Sequence, residues 1–331
     1  VIGAGFWAPT QISGWQEIPG VTVVGVIDRE FSRARKVSSL VGSVAYESIA
    51  EMVEKGKPDV LDIVTSPGSH LGVFQESLPF GLPIICQKPL ADSFTEAREM
   101  VMLAEKAGVP LLVNENWRYQ APIQALAKSL EEGVIGQVKR ARIQFSTSFP
   151  VFENQPFLAA IERFILADVG SHLFDTARFL FGEATEVYAR VGKINPMISG
   201  EDIATVILKM TRCDWLTVEL SYGCPWRGEA FPQTFFFVEG SLGILELKKD
   251  YRLITTTKKR RSETVVAPHL YDWVNPDYLV VHSSIVACQE ALVADLRGEG
   301  RSGLRGSENL RSMALVEAAY ESAQTGKPVL V

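Results

Sequence analysis

A chain of 331 residues has room for two domains of ordinary size, each with its own core. Hydrophobic residues make up 47% and charged residues 22%, the balance of a globular protein, which excludes a disordered or fibrous chain. A net charge of −6 with one short basic run, Lys258 to Arg261, argues against nucleic acid, and no apolar run reads as long enough to cross a membrane.

The chain opens inside an apolar strand, Val1-Ile2, so a few strand residues are expected ahead of it, and no secretory leader is visible. From there Gly3-Ala4-Gly5-Phe6-Trp7-Ala8 spells G-x-G-x-x-A and runs into a helix predicted over Pro9 to Ile18. Such a turn aims backbone N–H groups at a pyrophosphate beside a helix N-terminus, which makes Gly3, Gly5, Phe6 and Trp7 candidate dinucleotide contacts. The next strand, Val21 to Ile27, ends in Asp28, where a carboxylate binds adenosine ribose hydroxyls. Arg29 follows and suits a 2′-phosphate instead, so NAD is expected and NADP stays open.

The alternation then repeats: helix Ser32 to Leu40, strand Val44 to Tyr46, helix Ile49 to Lys55 and strand Val60 to Thr65. It predicts a parallel sheet covered on both faces, a Rossmann-type α/β domain. Thr65-Ser66-Pro67 lies at the carboxyl edge of that sheet, where ligands collect; His70 reads either as a cofactor-side residue or as a hydrogen bonder at a helix start. Strand Pro83 to Gln87 delivers Lys88 into a turn fixed by Pro89, and a lysine there can favour an alkoxide as hydride leaves. Helix Ser93 to Ala107 and strand Pro110 to Asn114 complete the sheet. The cluster Asn114 to Tyr119 suits a sugar-like ligand or an interface, with Trp117 and Arg118 as candidate substrate contacts.

The character changes near residue 121, giving expected domains 1–120 and 121–331. Helix Pro122 to Glu132 leads into alternating strands, Val138 to Ser148, Glu186 to Lys193, Ala204 to Met210, Trp215 to Tyr222, Thr234 to Val238 and Gly243 to Leu247. These predict an α+β domain on a large, mainly antiparallel open sheet. Between the first two strands, Ala167 to Asp175 reads ADVGSHLFD on a helix, with Asp168 and His172 four residues apart on one face. An imidazole beside a carboxylate is a usable proton acceptor near neutral pH. Phe149 to Phe157 reads as a lid loop and Arg163 as a clamp on a ligand oxygen. Helices are predicted over Val280 to Leu296, with His282 read as a core histidine ahead of a substrate contact, and over Ser307 to Thr325, which is expected to return to the first domain. Four cysteines without C-x-x-C spacing suggest neither zinc nor disulfides, and a cytoplasmic location.

The motifs VIGAGFWA, DIVTSPGSH, QKPL, ENWRY, ADVGSHLFD, VEGSLG and EAAYESAQTGKPV together resemble the Gfo/Idh/MocA family over essentially the whole length. The resemblance implies an oxidoreductase with Lys88, Asp168 and His172 as its catalytic set; Gly3, Gly5 and Asp28 would hold NAD or NADP, with Thr65 to Pro67 beside it. It also implies a homo-dimer or homo-tetramer assembled through the second-domain sheet. One departure stands out: Gln87 replaces the family's glutamate before Lys-Pro, so this position reaches a nicotinamide ribose without negative charge. The implied reaction is oxidation of a sugar or polyol hydroxyl, the anomeric hydroxyl of an aldose first. The alternatives are an inositol-type polyol dehydrogenase, redox-assisted glycoside cleavage, or a nucleotide-sensing regulator without chemistry.

Overall fold

Short, fully buried apolar runs become parallel strands where helices cover both faces of the sheet. In the computed structural model β1 (Gly25–Ile27) pairs in parallel with β2 (Val44–Tyr46), while β3 (Leu61–Ile63), β4 (Ile84–Gln87) and β5 (Leu111–Asn114) form a second parallel group. Ile2 bridges Ile27 on one side and Ile63 on the other, giving the spatial order β2, β1, Ile2, β3, β4, β5. The strand order therefore reverses at Ile2, and the carboxyl ends on either side of such a point form a ligand crevice. Helices α1 (Ala8–Gln16), α2 (Phe31–Leu40), α3 (Ile49–Glu51, continued by a π turn Met52–Gly56), α4 (Pro67–Ser77) and α5 (Phe94–Ala107) alternate with the strands. Two of them start on a serine that caps the orphan amides of the first turn: Ser48 accepts from Glu51 N and Ser93 from Glu96 N.

The structure describes residues 1–224, 231 and 233–331, and these divide into two units. The first comprises residues 1–116, 271–274 and 285–311, and the second residues 117–270, 275–284 and 312–331. The segment that returns to the first unit is 285–311, which takes in the first six residues of the final helix, Gly306–Thr325, while the rest of that helix belongs to the second unit. Polar matching explains it. Gln289 Nε2 donates to both the backbone and side-chain oxygens of Gln11 at 2.9 Å, and Asn114 Nδ2 donates to the same Gln11 Oε1 at 2.7 Å. Further on, Val113 N donates to Leu304 O at 2.7 Å, which extends the sheet edge.

In the second unit α6 (Ala121–Glu131) precedes a nine-stranded sheet built from β6 (Val138–Ser146), β7 (Ala184–Gly192), β8 (Ile203–Met210), β9 (Cys213–Ser221), β10 (Phe235–Gly240), β11 (Gly243–Lys248), β12 (Arg252–Thr257), β13 (Arg261–Val265) and β14 (Val329–Leu330). Its order is β13-β12-β11-β10-β6-β9-β8-β7-β14, and every neighbouring pair is antiparallel except β6 with β9. Alternation sets the faces: Ala204, Val206 and Leu208 of β8 are buried, while Thr205, Ile207 and Lys209 between them are exposed. The basic run Lys258 to Arg261 forms the turn after β12 and the first residue of β13, two strands that its charge hid from sequence reading. Thr257 Oγ1 there accepts from Lys259 N and Arg260 N.

The expected lid, Phe149 to Phe157, is largely helical, with α7 (Val151–Asn154) and a 3₁₀ turn at Pro156–Ala159. Two of its phenyl rings pack against neighbours, Phe149 5.4 Å from the Tyr278 ring and Phe152 5.3 Å from Phe164, while Phe157 is exposed. A π turn, Leu166–Gly170, then leads into α8 (Ser171–Phe181), and α9 (Leu279–Leu296) and α10 (Gly306–Thr325) are the last helices, ahead of β14. The expectation that no apolar stretch matches a membrane span is overturned by Pro276–Leu296, which is long and apolar enough by composition. That window is 61% buried within the protein, the environment that makes a core helix equally apolar.

Candidate functional site

The glycine-rich turn is shaped by what a side chain would strike. Gly3 has φ +109°, and a Cβ there would lie 2.5 Å from Val64 O, so only glycine lets the turn pass over the end of β3. Gly5 is the opposite case: a Cβ there meets nothing within 4 Å, leaving an open cradle at the start of α1. Asp28, at the end of β1, uses both oxygens to hold this region, Oδ2 accepting from Ala4 N and Oδ1 from Glu30 N, each at 2.8 Å. Arg29 is exposed, Phe6 is exposed, and the Phe6 and Trp7 rings meet edge to face at 5.2 Å. At the end of β4 the buried Gln87 Nε2 has no hydrogen-bond partner among the described residues. An open cradle, a carboxylate at the ribose position and an unsatisfied amide donor fit a dinucleotide; Gly5 would face its pyrophosphate, Asp28 its adenosine ribose and Gln87 its nicotinamide ribose.

Lys88 follows Gln87, is half-buried, and enters a cis peptide bond to Pro89. What holds this turn is His70. Its ring is fully buried, Nδ1 lies 3.0 Å from Pro89 O and 3.2 Å from Leu90 O, and Nε2 lies 3.0 Å from Thr65 O. Both nitrogens lie against backbone carbonyls, so His70 ties the Lys88-Pro89 turn to Thr65. Burial lowers its proton affinity, against the raising effect of those carbonyls. Thr65 itself is half-buried, with Ser69 Oγ 2.9 Å from its Oγ1; Ser66 is exposed, and Pro67 begins α4.

In the second unit Asp168 and His172 do not share one regular α-helix as the spacing suggested. Asp168 sits in the π turn and His172 in the first turn of α8, so the widened turn, not an ideal i to i+4 ladder, sets their separation. Such π turns occur frequently at functional sites. Asp168 is half-buried and His172 is buried. The indole of Trp117 stacks on the His172 ring at 4.5 Å, and its Nε1 donates to Thr234 Oγ1 at 3.0 Å. Phe145, Tyr222 and Phe164 continue this aromatic wall at centroid distances of 5.3 to 5.7 Å. Burial, then the neighbouring Asp168 and Tyr278, push the Tyr222 hydroxyl well up, so it stays a proton donor across the neutral range.

Two expected substrate contacts are spent elsewhere. Arg118 forks onto Asp175, Nε donating to Oδ2 at 2.6 Å and Nη2 to Oδ1, with side chains only 8% and 3% exposed. Arg163 pairs with Glu317 at 2.7 Å and lies over the Tyr320 ring at 4.0 Å, on the wall of a cleft of about 550 Å³. Asn114 and Glu115 are buried, and Asn114 serves the Gln11 network, so that part of the polar cluster is structural. Sequence reading missed Glu201, Tyr222 and Tyr278, whose roles depend on contacts far along the chain. Among the described residues no group of three His, Cys, Asp or Glu is placed to hold a metal ion.

Comparison with known proteins agrees with this architecture. Residues 1–115 match the model of the oxidoreductase family with an NAD-binding Rossmann fold, and residues 123–246 match the GFO/IDH/MocA C-terminal domain. A D-apiose dehydrogenase of Rhizobium rhizogenes is 36% identical over 330 residues, covering 99% of this chain and 96% of that protein. A D-apiose dehydrogenase of Paraburkholderia graminis is 37% identical over 330 residues, covering 99% and 88%. The crystal structure of an oxidoreductase from Agrobacterium radiobacter, in complex with NAD+, L-tartaric acid and magnesium, superposes with a TM-score of 0.95 at 36% identity, covering 99% of this chain and 96% of that one. The chain belongs to the Gfo/Idh/MocA family and is an NAD-binding oxidoreductase.

Proposed function

We propose that this member of the Gfo/Idh/MocA family oxidises the anomeric hydroxyl of an aldose with NAD, D-apiose being the first candidate and its lactone the product. The observation that carries the reading is the 36 to 37% identity to two D-apiose dehydrogenases over 99% of the chain. The segments ICQKPL, NENWRYQAP and ENQPFLA, which surround Lys88, Trp117 and the turn at Pro156, belong to the same pattern.

Bound NAD supplies the hydride acceptor. His172 takes the proton of the sugar hydroxyl, and its ring is kept in one orientation by Trp117. Asp168 orients that imidazole or hydrogen-bonds the sugar, and the Lys88 ammonium stabilises alkoxide character as hydride leaves. The sugar loses one hydride and one proton, so the aldose becomes a lactone and no other reactant is required. Lys88, Asp168 and His172 all being present favours a catalyst over a nucleotide sensor, which needs no proton acceptor.

Assembly into a homo-dimer or homo-tetramer through the open sheet, and a cytoplasmic location, belong to the same reading. Trp215, 64% exposed, and Ile207, 38% exposed, lie on the face of β8 and β9 that the core leaves uncovered and support it. Purified protein incubated with NAD or NADP and a panel of pentoses, hexoses and inositols tests the activity by NADH or NADPH formation. Turnover of D-apiose with NAD is expected; turnover of inositol alone moves the substrate to a polyol, and no turnover at all with intact dinucleotide binding overturns the enzymatic reading.

A further inference from the structure

We propose that Glu201 is a positioning residue for Asp168, holding the three-residue lead into the π turn from a distant loop. The inference rests on the reading of Asp168 as a member of the catalytic set. Three consecutive amides donate to this one residue: Phe164 N to Oε2 at 3.2 Å, Ile165 N to the backbone oxygen at 3.1 Å and Leu166 N to Oε1 at 3.2 Å. The π turn begins at Leu166 and has no cap from its own neighbours, since Ile165 offers no side-chain acceptor. Glu201 thus supplies the acceptors that the first N–H groups of a helix lack, with a negative charge at the positive end of the turn.

The loop is built to bring Glu201 there. Ser199 N donates to Ala159 O at 2.9 Å, and a Cβ on Gly200 would lie 2.8 Å from Ile161 O and 2.9 Å from Glu162 O, so only glycine allows the approach. Glu201 is itself fixed from α10, where the Tyr320 hydroxyl donates to Oε1 at 2.6 Å. Burial and the neighbouring Glu201 push the Tyr320 hydroxyl far up, so it remains a donor. Inside the turn Asp168 N donates to Phe164 O at 2.8 Å, which passes the register of the clamped residues directly to the carboxylate.

Hydrogen exchange and turnover are measured on the full chain with NAD bound, for wild type, Glu201→Gln, Tyr320→Phe and Asp168→Asn, with D-apiose as the substrate. Glu201→Gln is expected to speed amide exchange at Phe164 to Asp168 by about tenfold or more, with Ile84–Gln87 unchanged. Its kcat is expected to fall about 10- to 100-fold while KM for NAD stays within about twofold. Tyr320→Phe, which keeps the ring and removes the hydroxyl that donates to Glu201 and neighbours Arg163, shifts both readouts in the same direction by less. Wild-type exchange rates in both variants overturn the proposal, as does faster exchange with undiminished kcat, which reduces Glu201 to a purely stabilising role. A fully active Asp168→Asn instead overturns the catalytic reading of Asp168, and a wild type without turnover of D-apiose overturns the substrate reading; in either case exchange alone then decides whether Glu201 holds the segment.

Discussion

The indole of Trp117 lies against the imidazole of His172, ring centroids 4.5 Å apart and planes 24° from parallel. The indole is in turn fixed by its donation to Thr234 Oγ1 and by the Phe145 and Phe231 rings, each at 6.0 Å. A flat aromatic face on one side leaves the imidazole little freedom to rotate, and a general base must already point at its proton when substrate arrives. On the proposed role of His172 as base, the residue expected to touch the sugar acts through that ring.

Trp117→Leu removes the plate and leaves Thr234 without its donor. Oxidation of D-apiose should drop about 10- to 100-fold in kcat, with NAD affinity within about twofold of wild type, as read from initial rates and a fluorescence titration. Trp117→Phe keeps a ring face and should lie between the two. Wild-type kcat in the leucine variant would remove Trp117 from any part in catalysis.

Arg118 and Asp175 form a buried pair whose removal is asymmetric. Deleting the arginine leaves a carboxylate that is 3% exposed without its forked partner, with Ser312 Oγ at 3.3 Å beside Oδ1. Arg118→Met should therefore cost about 3 to 5 kcal/mol in urea unfolding. The double variant with Asp175→Leu, which removes both charges, should recover most of that loss. A substrate-binding arginine would instead raise KM with stability unchanged, so the two readings separate in one pair of measurements.

What the sequence made legible follows a simple division. The open cradle at Gly5, the carboxylate at Asp28 and the turn carrying Lys88 depend on local pattern, because strand, turn and helix N-terminus lie within a few residues of each other. The polar side chains in between were harder to sort: His70 and Arg118 look like ligand contacts until their partners at Thr65, Pro89 and Asp175 are seen. Asp168 and His172 were placed on one α-helix because D-x-x-x-H matches its period, and nothing local announces the π turn. Its support comes from Glu201, 33 residues beyond Asp168, a contact that no periodicity encodes. Strands β12 and β13 were missed for the converse reason, since an edge hairpin with exposed charge needs no apolar alternation.

Acid should destabilise the protein through its buried histidines. Burial lowers His282 to about 4 and lowers His70 as well, against an ordinary value of about 6.5. The unfolded chain then binds protons that the folded chain refuses, so this contribution to stability is complete above about pH 6.5 and is lost as pH falls toward about 4. Unfolding free energies taken in urea at about pH 7.5 and about pH 5 should fall with acid in wild type and fall less in His282→Phe. Equal slopes in the two proteins would assign the acid sensitivity to other groups.

Asp28 has two duties that one substitution can divide. Its oxygens accept from Ala4 N and Glu30 N, tying the glycine-rich turn to the end of β1, and on the proposed cofactor reading its charge would oppose a 2′-phosphate on the adenosine ribose. Asp28→Asn keeps one acceptor oxygen and presents an amide donor to the other N–H, so the turn loosens and the ribose loses a charged partner. NAD should bind about tenfold more weakly, roughly the 1.4 kcal/mol expected for one charge-assisted hydrogen bond. NADP should gain at the same time, because the repulsion is gone and exposed Arg29 stands beside the position. The ratio of kcat/KM for NAD over NADP should therefore fall by about 10- to 100-fold. Parallel assays with both dinucleotides give that ratio directly; a ratio unchanged from wild type would leave Asp28 as a tie within the turn and place cofactor choice on other residues.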